Sequence, residues 1–149
     1  MTKSLTAGIA LVLLGSVLVG CAGVQSQKQR ESLDVTVNNF RQMIRWGAYD
    51  RAAAYRRSPT DVLLAPDLRE LENIRVVSYE ITDQAIREDG TTAVVNAIVS
   101  YYSDETGTVY NTRYVQNWWY DPKLERWFLN GDLPSFAEAR PAIRLTPDR

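Results

Sequence analysis

From Asn73 to Asn130 the chain alternates between strand-prone runs and short turn signals, and this restricts its fold more than any other feature. Asn73 to Thr82 is rich in Val, Ile and Tyr. Asp89-Gly90 marks a turn, and Thr91 to Ser103 alternates and is strongly β-prone. Asp104 to Gly107 marks a second turn, and Thr108 to Tyr120 is long, β-branched and aromatic. Asp121-Pro122 turns again, and Glu125 to Asn130 closes the series. Successive strands joined by short turns pair antiparallel as a meander.

The segment before this series has helical periodicity. Leu33, Val37, Phe40 and Ile44 recur at i, i+4, i+7 and i+11, an apolar stripe on one helix face. Ser32 is the expected N-cap. Gly47 interrupts the pattern, Tyr49 to Arg57 resumes it, and Ser58-Pro59 ends it. The segment from about 32 to 57 therefore reads as two helices or one kinked helix, with a further short helical turn at Pro66 to Leu71. Helices first and strands afterwards is the α+β order: N-terminal helices packed on a curved antiparallel sheet.

Residues 1–31 do not belong to that pattern. Lys3 supplies a short positive start, and Leu5 to Val19 is apolar except for Thr6, Gly8, Gly15 and Ser16. Leu18-Val19-Gly20-Cys21 follows at once, and Cys21 is the only cysteine. A charged start, an apolar middle and a small residue before the cut make a secretory signal peptide. The four residues resemble the lipobox of bacterial lipoproteins. That resemblance implies a diacylglyceryl thioether on Cys21, cleavage between Gly20 and Cys21, and acylation of the new amino group, with palmitate as a representative chain. Each buried methylene contributes about 0.8 kcal/mol, so two or more chains make a stable anchor. The alternative is an uncleaved membrane-spanning anchor, since residues 4–27 carry no formal charge. In Gram-negative lipoproteins an Asp after the cysteine tends to retain the protein at the inner membrane. Ala22 stands there, which implies the outer membrane, facing the periplasm.

The expected organisation is a signal peptide over residues 1–20, a lipidated tether over 21–31, the α+β domain over 32–136 and a loose C-terminal tail over 137–149. A flexible tether of about ten residues spans roughly 17 Å. Charge is divided along the mature part. Lys28 to Arg57 holds seven basic residues against three acidic, whereas Ser58 to Arg149 holds nine against fifteen.

The order of elements is similar to the nuclear transport factor 2-like (cystatin-like) superfamily, a cone-like roll. Trp46-Gly47-Ala48-Tyr49 with Ala52-Ala53, then Tyr114, Trp118-Trp119, the turn at Asp121 and Arg126-Trp127-Phe128-Leu129 carry the likeness. It covers about Leu33 to Phe136. It implies either a binding domain or an enzyme with a buried Asp and Tyr in the cone, isomerase- or hydrolase-like.

The residues favour the binding domain. The chain has no histidine, so the commonest general base and the commonest transition-metal ligand are both missing. No metal site, no cofactor motif and no catalytic residue is identified: Gly-x-Ser-x-Gly, Gly-x-Gly-x-x-Gly and P-loop spacings do not occur. A net charge of −1 gives no footprint for nucleic acid. Neither alternating set of the long strand contains an acid, which argues against a base on the sheet. Aromatic clustering is the positive signal. Tyr114, Trp118 and Trp119 are the candidate binding surface for an envelope protein or small ligand, with Trp118 and Trp119 on opposite sheet faces. Cross-strand aromatic packing would explain the same residues without a ligand. Arg41 and Arg45, at i and i+4, are a candidate basic face toward anionic head groups or an acidic partner. A homodimer through the sheet is a further expectation.

Overall fold

The computed structural model describes residues 20–60, 62–63, 65–136 and 140–141. The expected signal peptide, apart from Gly20, and most of the expected C-terminal tail lie outside them. Among the described residues no helix is long and apolar enough to cross a membrane.

The apolar stripe does form a helix, α1, over Gly20–Arg45. It starts upstream of the expected cap and runs through residues 21–31, whose composition had suggested a flexible tether. The physical reason lies in Gln25 to Glu31, which contains neither Gly nor Pro and consists largely of good helix formers. Gln27 Nε2 donates to Glu31 Oε1 at 3.0 Å, one turn on. The Ser32 hydroxyl donates back to the Gln29 carbonyl at 2.9 Å, so it sits inside the helix instead of capping it.

Helix α1 ends in a Schellman motif. Ala48 N–H donates to Met43 O at 2.9 Å and Gly47 N–H to Ile44 O at 3.2 Å, with Gly47 at φ +68°. That left-handed position suits glycine and starts the turn into α2, Tyr49–Ala53. Helix α2 is shorter than the expected run to Arg57. Arg56 instead forms an isolated parallel bridge with Leu129, because Arg57 N–H donates to Leu129 O and Leu129 N–H donates to Tyr55 O. A 3-10 turn over Leu68–Leu71 matches the expected third helical turn.

The strands are β1 Ile74–Ile86, β2 Thr92–Ser103, β3 Val109–Asp121, β4 Arg126–Leu129 and the two-residue β5 Arg140–Pro141. Strands β1 to β4 lie side by side in chain order, all antiparallel, in a curved, unclosed sheet. The protein is therefore α+β. Strand β5 pairs with Tyr110 and Asn111 at the start of β3, so that part of the expected loose tail is held to the sheet.

Leu33, Val37, Phe40 and Ile44 of α1 are buried in one cluster with Tyr79, Ala93, Val95, Ala97, Val99, Tyr114, Trp118 and Trp127 of the sheet. The Phe40 ring meets the Trp118 indole edge-on at 5.4 Å. The alternating burial of β3 puts Tyr114, Gln116 and Trp118 inward and Val109, Arg113 and Val115 outward.

Candidate functional site

The expected aromatic binding surface is not exposed. Trp118 is 1% exposed and Tyr114 is 7% exposed, both facing α1. Their set of alternating β3 positions carries the larger apolar area, and burying it is worth more than burying the Val-Asn-Arg set on the other face. Their polar tips are satisfied inside. Trp118 Nε1–H donates to Gln116 Oε1 at 3.0 Å, Gln116 Nε2–H donates to the Tyr79 hydroxyl at 2.7 Å, and the Tyr114 hydroxyl donates to Asp132 O at 2.7 Å. Desolvation pushes the Tyr79 and Tyr114 hydroxyls well above the usual tyrosine range. Trp119 does fall on the opposite face. It is half-buried beside Phe128, with ring centroids 5.6 Å apart, and its Nε1–H donates to Arg57 O at 2.6 Å. These aromatics act as core and cross-strand packing.

Arg41 and Arg45 do not form a common solvated face. Arg45 is exposed, whereas Arg41 is half-buried, with a buried Nε that has no hydrogen-bond acceptor among the described residues. Its charge is felt by the Tyr79 hydroxyl, which it pulls downward against the larger effect of burial. Gly20 and Cys21 are the first two residues of α1.

The acid required for chemistry inside the sheet has no counterpart at the described inward positions of β3, where the buried polar group is Gln116. The buried Asp121 is committed to the β3–β4 turn: its Oδ1 accepts from Lys123 N–H at 2.9 Å and Leu124 N–H at 3.3 Å. Among the described residues no three His, Cys, Asp or Glu side chains converge in a way that could hold a metal ion.

The concave feature with recognition chemistry lies elsewhere, where α1 ends. A groove of about 510 Å³ runs between the α1–α2 corner, the 3-10 turn and the start of β1. Leu68, Leu71, Ile74, Val76 and the Tyr49 ring supply its apolar lining. Arg45, Arg75, Asp50 and Glu72 place two charges of each sign along it. Trp46 lines it too and is 81% exposed, its Nε1–H donating to Gln42 Oε1 at 3.2 Å. The site is assembled by local rules. The Gly47 cap turns the chain so that Trp46 projects beyond the last helical turn. Tyr49 ties α2 to β1 through a 3.4 Å hydrogen bond from its hydroxyl to Ile74 O. Burial pushes the Tyr49 hydroxyl up to about 12, against a smaller downward pull from Arg75. Arg75 is braced by Glu72 O at 2.8 Å and by Asp104 Oδ2 at 2.8 Å. A second groove of about 380 Å³, lined by Pro66, Asp67 and Asp132 to Phe136, adjoins it across Leu71 and Ile74.

Trp46 was not among the expected site residues. The available signal was its place off the stripe. After Ile44 the buried face next returns near position 48, so a tryptophan at 46 points to solvent. A large exposed aromatic beside an apolar groove and mixed charges suits recognition of an amphipathic ligand or peptide.

Comparisons with protein-family models, with curated proteins and with solved structures find no match for this chain.

Proposed function

We propose that this chain is the precursor of a bacterial lipoprotein whose mature part is acylated at Cys21 and holds a non-catalytic binding domain at the cell envelope. Leu18-Val19-Gly20-Cys21, placed directly after an apolar run and containing the chain's only cysteine, carries this reading. Export leaves a lone thiol that cannot form an internal disulfide, and lipidation gives it a use. Ala22 in place of an acidic residue favours the outer membrane, facing the periplasm.

The domain is read as a cone-like roll of the nuclear transport factor 2-like kind, with its helices against the concave side of the sheet. The buried contact of Phe40 with Trp118 and the unclosed four-strand sheet support this reading. The Trp46 groove replaces the aromatic sheet face as the place where an envelope protein or small ligand would bind. Tryptophan is enriched at binding hot spots because it buries much area around a polar handle.

Two experiments test the proposal. Metabolic labelling with a radioactive fatty acid is expected to mark the wild type and to leave Cys21→Ser unlabelled; equal labelling of both ends the lipoprotein reading. A photo-crosslinking amino acid at position 46 is expected to capture an envelope component that the same group at position 113, on the outer sheet face, does not. Identical capture from both positions argues against a specific groove.

A further inference from the structure

We infer that α1 is a rigid stand-off, which turns the Trp46 groove away from the bilayer that holds Cys21 and toward partners in the aqueous compartment. The inference rests on acylation of Cys21 under the proposed function.

Helix α1 is continuous from Gly20 to Arg45, so the lipidated position and the lip of the groove stand at opposite ends of one helix. From Gln29 onward the helix is fixed to the sheet. Trp127 Nε1–H lies 3.1 Å from both Gln29 O and Ser32 Oγ. Gln84 Nε2–H donates to Asp34 Oδ1, and Gln29 Oε1 sits 3.4 Å from where a Cβ on Gly90 would be. The N-terminal part of α1 thus lies beside the β1–β2 turn and the start of β4, whereas its C-terminal end lies beside the start of β1. At 1.5 Å per residue, Cys21 stands about 12 Å from Gln29 and about 37 Å from Trp46.

These contacts sort the molecule into two ends. The end toward Cys21 carries the β1–β2 turn at Asp89-Gly90 and the β3–β4 turn, where Leu124 is half exposed beside Lys123. The far end carries the groove and the β2–β3 turn at 104–107. A ten-residue coil would let the domain roll freely over the lipid surface; a helix transmits the direction of its axis.

The described part of the helix has little apolar surface left with which to lie flat on a bilayer. Its apolar stripe is spent in the core. Among the described side chains of α1, the exposed face presents the cations Lys28, Arg30 and Arg45 against the carboxylates Glu31 and Asp34, with Val35 the exposed large apolar side chain there. Such a face has little apolar area to insert, and two of its three exposed cations, Lys28 and Arg30, lie toward the Cys21 end, so attraction to anionic head groups acts mainly there and not at the groove.

The test uses the full acylated protein in vesicles of phosphatidylethanolamine and phosphatidylglycerol containing a head-group spin-labelled lipid. With the Cys21 sulfur consumed by the thioether, a fluorophore is attached through Leu124→Cys or, separately, Thr106→Cys. Quenching is expected to be several-fold stronger at position 124 than at 106. Adding Ser26→Pro, which breaks α1 upstream of its docked part, is expected to remove most of that difference while the protein still floats with the vesicles. Equal quenching at the two positions in the unbroken helix overturns the stand-off, as does an undiminished difference in the Ser26→Pro protein. Failure of the unbroken protein to float overturns the lipoprotein reading itself and the inference with it, so the two failures are distinguishable.

Discussion

Trp118→Ala is expected to destabilise the domain by about 3–5 kcal/mol, a large part of the stability of a typical small domain. The indole is 1% exposed and is held by Phe40 at 5.4 Å and Tyr55 at 6.2 Å, both edge-on. Truncation leaves a cavity at the meeting point of α1, the 55–57 segment and β3. It also deprives Gln116 Oε1 of its donor in a place water reaches poorly. The neighbouring Trp119→Ala is the natural control. Trp119 is the same residue type on the same strand but half-buried on the other face, so its replacement should cost well under half as much. Urea denaturation followed by far-UV circular dichroism measures both. Equal losses would mean that the two indoles are equally buried and that the face assignment of β3 is wrong.

That comparison marks where the sequence was readable and where it was not. The turns were legible because Asp89-Gly90, Asp104 to Gly107 and Asp121-Pro122 impose local backbone geometry. The observed strands accordingly begin and end close to these positions, with β1 running further than expected, to Ile86. The helical stripe was legible for a similar reason: Leu33, Val37, Phe40 and Ile44 are buried as a unit. The choice of sheet face was not legible. Both alternating sets of β3 carry a tryptophan near their end, and the deciding partner of Gln116 is Tyr79, 37 positions away on a strand that β3 does not pair with. Strand periodicity says which residues share a face; only the three-dimensional arrangement says which face the helix covers. The groove was hidden for the same reason, because its lining comes from three segments that the helix cap and the 3-10 turn bring together.

The buried tyrosines make a second large effect, confined to alkaline pH. Tyr79 and Tyr114 are held protonated by desolvation, and Tyr49 is pushed up to about 12 by burial. An unfolded tyrosine loses its proton near pH 10. Between that pH and the raised folded values, the unfolded chain has released protons that the folded domain still binds. Stability therefore falls as pH rises there, and the tyrosine contribution is fully present below about pH 10. Each strongly buried tyrosine contributes up to about 1.4 kcal/mol per pH unit to this slope, so Tyr79 and Tyr114 together give up to about 3 kcal/mol per pH unit. Tyr114→Phe should cost only about 1 kcal/mol at neutral pH, for the lost hydrogen bond to Asp132 O, and should flatten the alkaline slope by one tyrosine's share. Its unfolding curve would cross that of the wild type if the slope outweighs the lost bond. Urea midpoints taken from pH 8 to pH 12 read this directly. A wild-type midpoint that stays level across that range, or a Tyr114→Phe slope that matches the wild type, would show that these hydroxyls ionise as readily in the folded domain as in the unfolded chain.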